Sequence, residues 1–195
     1  MKNKFVVIIV LISILFSAVY FFRPYNSLEF NAGTIYYQSY SNLYSSVDTY
    51  VRELEAYNDT GDEVNILGAR NRLNAIIYNV IIFKLAGQMD FRNTYINEKV
   101  VKTDFLVENI RLLETYYIDS AYIIENLLEN KNTEDKVFQD FLYYNQLILN
   151  GLTTKDLGYN PETKEFRVVL DDSKKPLLEK GLEGLKEMIE KAVTQ

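Results

Sequence analysis

Apolar positions along the chain form two kinds of pattern, one unbroken run and several spaced series. The run is Phe5 to Phe22, FVVIIVLISILFSAVYFF, with Ser13 and Ser17 as its clearly polar members. At about 1.5 Å per residue it spans roughly 27 Å, close to the 30 Å or so of a bilayer's hydrocarbon core. It predicts a transmembrane helix. A cleaved signal peptide is the rival reading, but its apolar region usually has about 7–15 residues and small residues before the cut. A cut after Ala18 would put Phe16 where a small residue is wanted. An uncleaved anchor is therefore expected. Lys2 and Lys4 precede the run, Arg23 alone follows it, and the next basic residue is Arg52. The positive-inside bias then sets the N-terminus in the cytoplasm and the rest outside. Pro24 cannot continue the helix. Ser13 and Ser17 make a small-xxx-small pair, a spacing that suits close packing of two anchors in a homo-oligomer.

The spaced series begin at Thr34, a candidate N-cap. Tyr36, Tyr40, Leu43, Val47, Tyr50, Leu54 and Tyr57 alternate at four and three residues, the seam of a helix packed along its length. Asn58 to Gly61 reads as a turn. Thr60 and Glu63 fit a capping box that opens a second helix, running to about Ala86. So short a link makes these two helices antiparallel neighbours. Within the second lies Ile76 to Phe83, apolar almost all round. Asn74, Asn79 and Lys84 interrupt it well short of a membrane span, so the most buried helix of a bundle is expected.

After a connector at Gly87 to Asn93, a third helix is expected from about Thr94 to Glu129. Its seam is Leu106, Ile110, Leu113, Tyr117, Ser120, Ile124 and Leu127. Its length, roughly 50 Å, calls for a break near Asp119-Ser120 or in its first turns. Thr133 should cap a fourth helix whose buried face is Val137, Phe138, Phe141, Leu142, Ile148 and Leu149, ending at Gly151. Leu152 to Asp172 lacks helical periodicity. A turn at Tyr159 to Thr163 and strand composition at Phe166 to Leu170 predict a small hairpin strapped over the core. The last helix, Ser173 to Val193, buries Leu178, Leu182, Leu185, Ile189 and Ala192. Gly181 and Gly184 in it imply close approach to a neighbour.

The predicted fold is all-α: an N-terminal single transmembrane helix, then an antiparallel four- to five-helix bundle with a small β-hairpin-like insert. Residues 1–4 are the cytoplasmic N-terminus, 5–22 the anchor, 23–33 a tether and 34–195 an extracytoplasmic helical domain.

Composition narrows the chemistry. Lys2, Lys4 and Arg23 account for three of the 21 basic residues, and none of the 27 acidic ones lies before residue 24, which leaves −9 on the remainder. That argues against nucleic acid as a partner and against tight binding to an anionic membrane surface. The chain has no cysteine and no histidine. Disulfides, thiol catalysis, Ser-His-Asp triads and the usual zinc ligands are therefore excluded. Asp104 and Glu108 share a helix face, but di-metal sites in bundles also need Glu-x-x-His. Asp59-Thr60-Gly61-Asp62-Glu63 is too short for a calcium loop. No cofactor, metal site or catalytic residue is expected. The 16 tyrosines stand out. Tyr37 and Tyr44 lie off the strict seam, and Tyr159 and Phe166 lie on the insert. These four are candidate partner-binding residues, since aromatics are favoured at interfaces. The expected function is non-catalytic: an anchored bundle binding a membrane or exported protein as adaptor, assembly factor or immunity-type blocker. The alternative is a small-ligand or signal-sensing ectodomain acting through a partner membrane protein.

Overall fold

A computed structural model describes residues 34–88, 99–102, 104–130, 133, 135–163 and 165–193. The anchor expected at Phe5 to Phe22 and its tether lie outside them. Helix α1 covers residues 34–60. It is followed by α2 (Glu63–Gln88), β1 (Lys99–Lys102), α3 (Asp104–Asn130), α4 (Lys136–Gly151), β2 (Thr154–Asn160), β3 (Glu165–Leu170), a 3-10 turn (Asp172–Lys174) and α5 (Lys175–Val193). Among the described residues the fold is mostly helical with a small sheet. Among the described residues no helix is long and apolar enough to cross a membrane.

The core is organised on α1. All seven seam residues of this helix are buried, and Val51 joins them. Fully burying one such side chain is worth about 1.5–3 kcal/mol. Three neighbours share the seam. Tyr36 stacks on Phe83 of α2 at 4.6 Å between ring centres. Tyr50 meets Tyr117 of α3 edge-on at 5.7 Å, and Tyr57 meets Phe138 of α4 edge-on at 5.3 Å. Aromatic pairs prefer such offset and edge-to-face geometries. The Tyr40 hydroxyl donates to the Leu152 carbonyl just past α4. With Tyr57 beside Phe138 and Tyr40 beside Leu152, α1 and α4 run antiparallel.

Helix α1 ends where Gly61 takes φ 67°, and its N–H donates to the Tyr57 carbonyl at 2.8 Å. Only glycine enters that region freely. The capping box does not form. Thr60 belongs to α1 and its hydroxyl donates back to the Ala56 carbonyl at 2.7 Å. Asp62 caps α2 instead, its Oδ1 accepting from Val64 N–H at 2.9 Å. Asp135, rather than Thr133, caps α4, accepting from Val137 N–H at 3.0 Å. That register turns Val137 outward, so it does not join the core as expected, whereas Phe138, Phe141, Leu142 and Ile148 do.

The third helix is shorter than its periodicity suggests. Lys99 to Lys102 pairs parallel to β3, Lys99 opposite Glu165 and Lys102 opposite Val168. The two central valines suit a strand. Helix α3 therefore starts at Asp104 and continues unbroken through Asp119-Ser120. The expected hairpin is present as β2 and β3, antiparallel, giving a three-stranded sheet ordered β1-β3-β2. Its turn is held by Asn160, whose side-chain oxygen accepts from the Glu162 and Thr163 N–H groups at 2.9 and 3.3 Å. Phe166, Val168 and Leu170 alternate inward from β3.

Helix α5 packs chiefly on α4, and glycines set the distance. A methyl on Gly184 would strike the Tyr144 ring, and one on Gly151 would strike the Leu178 backbone. Leu178, Leu182, Leu185 and Ile189 are buried; Ala192 is only partly so. The Glu187–Lys191 pair forms on the outer face at 3.7 Å.

The two contacts make a graded prediction. Gly151→Ala forces backbone apart and should cost about 1–3 kcal/mol, the usual range for overpacking. Gly184→Ala meets a ring that can swing aside and should cost less. Urea midpoints of the two variants check the order; equal midpoints would refute this account of the α4–α5 contact.

Candidate functional site

Helix α2 shows where the unsatisfied surface lies. Its inner stripe, Ile66, Ala69, Leu73, Ile76, Val80, Phe83 and Ala86, is buried. Its opposite stripe is not polar throughout. Tyr78 is 64% exposed, and Ile81 and Leu85 are exposed with it. The cause is the Ile76 to Phe83 run: with apolar residues all round, neighbours on one side can cover only half. The expectation that this helix is the most buried of the bundle is corrected accordingly.

Two ion pairs join this face to α3. Lys84 reaches Glu114 at 2.9 Å, and Arg70 reaches Glu125 at 2.7 Å. They fix α2 and α3 as antiparallel and bracket a stretch of both helices. Between the bracketing residues lie Tyr78 and Ile81 on α2, and Ile118 and Tyr122 on α3, all exposed. Ile118 follows Glu114 by four residues and Tyr122 precedes Glu125 by three, so both share the α2-facing side of α3. Asn79 anchors the other flank, donating to the Ser46 hydroxyl of α1 at 3.0 Å. Solvent-exposed pairs such as these contribute about 0–1 kcal/mol each. Their larger effect is to hold the two apolar stripes side by side. Clustered exposed apolar groups, unlike scattered ones, mark interaction surfaces.

The four residues singled out by sequence fall in two places. Tyr37 and Tyr44 are half-buried on α1, and Tyr44 packs against the core. Tyr159 and Phe166 face one another across β2 and β3 with ring centres 4.7 Å apart. Phe166 is only 3% exposed and has no face left for a partner, while Tyr159 is 40% exposed. None of the four belongs to the α2–α3 face. Tyr78, Ile118 and Tyr122 were missed. The signal for them was the same all-round apolar run, together with Leu112, Ile118 and Tyr122 lying opposite the α3 seam.

The described interior holds several buried polar groups. Tyr50 and Tyr117 hydroxyls are fully enclosed, and among the described residues neither has a hydrogen-bond partner. Asn145 is buried, donating to the Phe141 carbonyl at 2.8 Å. Among the described residues no group of three acidic side chains could hold a metal ion. The side chains of Asp104 and Glu108 lie outside the described set.

Comparison with protein-family models, with curated proteins and with solved structures finds no match to this chain.

Burial raises the Tyr36, Tyr40, Tyr50 and Tyr117 phenols far above their ordinary value of 10.0, with neighbouring tyrosines adding to the rise at Tyr40 and Tyr50. The folded state thus holds these protons more tightly than the unfolded chain. Their contribution to stability is complete below about pH 10 and is lost as pH rises beyond it. Titration by ultraviolet absorbance should show these phenols ionising only together with alkaline unfolding, seen by circular dichroism. Ionisation of all tyrosines near pH 10 in a folded chain would contradict the burial described.

Proposed function

We propose that this protein is a membrane-anchored, extracytoplasmic helical bundle that binds a protein partner through the α2–α3 face. The observation that carries the reading is the exposure of Tyr78, Ile81, Ile118 and Tyr122 together, between two inter-helix ion pairs. The stretch from Arg70 to Lys84 is about 20 Å long at helical rise. An apolar face of that length on two adjacent helices suits a partner helix of about four turns, a common recognition mode. Large aromatic side chains at its centre are the kind that dominate binding energy. The anchor rests on the Phe5 to Phe22 run and its flanking charges, and it places the partner in or beside the same membrane. The role is one of binding, as adaptor, assembly factor or immunity-type blocker. The absence of cysteine and histidine from the sequence supports a non-catalytic reading.

Photocrosslinking in intact cells tests the face. A photoreactive residue at position 78 or 118 should capture one membrane or exported protein. The same residue at Val137, exposed on α4, should not. With the probe at 78, Ile118→Glu should reduce capture at least tenfold, since a desolvated central contact is commonly worth about 1.4 kcal/mol or more. It should leave the unfolding midpoint nearly unchanged because Ile118 is half exposed. Equal capture from all three positions would sink the proposal.

A further inference from the structure

Helix α2 carries a second line of evenly spaced residues, on its outer crest. Val64, Leu67, Asn71, Asn74, Tyr78, Ile81 and Leu85 alternate at three and four residues, and all are exposed. Exposed positions on any packed helix share this spacing. What sets this line apart is that all but its two asparagines are large and apolar. Every large apolar residue that α2 exposes, among those described, lies on it. The flanks are fixed. Asn79 turns to α1, while Arg70 and Lys84 turn to α3. The line therefore points outward between those two neighbours. An apolar line with this period is the seam of a helix that meets another helix along its length.

The order of residues along the line says what covers it. The two asparagines stand in the middle, with apolar residues on both sides. Turned end over end against a second copy, the line matches itself. Val64 meets Ile81 of the second copy, Leu67 meets Tyr78, and Asn71 meets Asn74, each layer occurring twice. Apolar then meets apolar and amide meets amide. Asparagine inside a helix seam is a known device for fixing register. A partner helix with an unbroken apolar seam would bury these amides without hydrogen bonds, which is costly. Parallel pairing of two copies would also align the asparagines. It would, however, bring the exposed Asp62 and Glu63 against their own copies, and like charges across an interface are unfavourable. Antiparallel pairing holds Glu63 and its copy about 28 Å apart at helical rise.

We infer that α2 pairs antiparallel with α2 of a second copy through this outer line, so that the partner at the α2–α3 face is the same chain. The inference rests on the face in the proposed function, to which Tyr78 and Ile81 belong. The expected anchor favours it. Copies confined to one bilayer meet at a raised effective concentration, and the Ser13–Ser17 spacing suits two packed anchors. A two-fold axis along the membrane normal lets both anchors enter one bilayer, with the α2 pair lying parallel to the membrane plane.

The chain contains no cysteine, so introduced cysteines report the register directly. Two full-length copies with different tags are co-expressed, one carrying Val64→Cys and the other Ile81→Cys, and their membranes are treated with a mild oxidant. The expected product is a disulfide dimer bearing both tags. Neither variant alone should crosslink to itself, because each position lies about 25 Å from its own copy. Val64→Cys with Val137→Cys, exposed on α4, should give no dimer. Asn71→Asp with Asn74→Asp puts four carboxylates into the two central layers. It should lower the dimer yield roughly tenfold or more and leave the urea midpoint of the domain unchanged, since both positions are exposed. Self-crosslinking of Val64→Cys overturns the antiparallel register. Equal yields with Val137→Cys mean random collision and overturn the pairing. No dimer, with a photoreactive residue at position 78 capturing a different protein, overturns the inference and leaves the proposed function standing. No dimer and no capture remove both.

Discussion

The bundle depends on the burial of one helix. Helix α1 has a seam that three other helices must close, and no single neighbour covers it. Its four seam tyrosines are broad enough to reach α2, α3 and α4 in turn. Phe83, Tyr117 and Phe138 receive them as ring pairs. Aliphatic seams would bury similar area with less directional constraint. The phenolic oxygens are the complication. Tyr40 finds the Leu152 carbonyl, whereas the Tyr50 and Tyr117 oxygens stay enclosed together. An enclosed hydroxyl without a partner is costly, so the apolar contact around these rings must outweigh it.

Helix α2 carries the opposite problem. It has more apolar surface than the bundle can cover. The inner stripe is used by α1 and α3, and the outer stripe is left in solvent beside a matching stripe on α3. A chain that merely needed to fold would gain by having polar residues at positions 78, 81, 118 and 122. Retaining apolar ones there is a departure from local consistency, and such departures concentrate where a protein meets something else.

Much of the architecture was legible in the residues. The four-and-three spacing identified the seams of α1 and α3, and every described seam side chain is buried, from Tyr36 to Leu127. The close approach at Gly181 and Gly184 and the β2–β3 hairpin were legible too. What was not legible has physical causes. Periodicity is lost when both faces of a helix are apolar, so Ile76 to Phe83 could not reveal which side stayed open. Lys99 to Lys102 is a strand only because β3, more than sixty residues later, pairs with it. At Asp59 to Glu63 several residues compete to cap, and the positive φ of Gly61 decided for Asp62. Phe166, a candidate partner-binding residue by sequence, is buried, because alternation alone does not say which face of a small sheet is covered.

The contact between Tyr40 and Leu152 joins residues 112 apart. In a chain made from its N-terminus, α1 appears first, yet α4, the last helix to close its seam, is complete only at Gly151. The tyrosine stripe is therefore uncovered while nearly a hundred further residues are added, on the order of ten seconds at common synthesis rates. For that interval the nascent chain displays its stickiest surface at the exit site. Its assembly is consequently a problem of timing as much as of affinity.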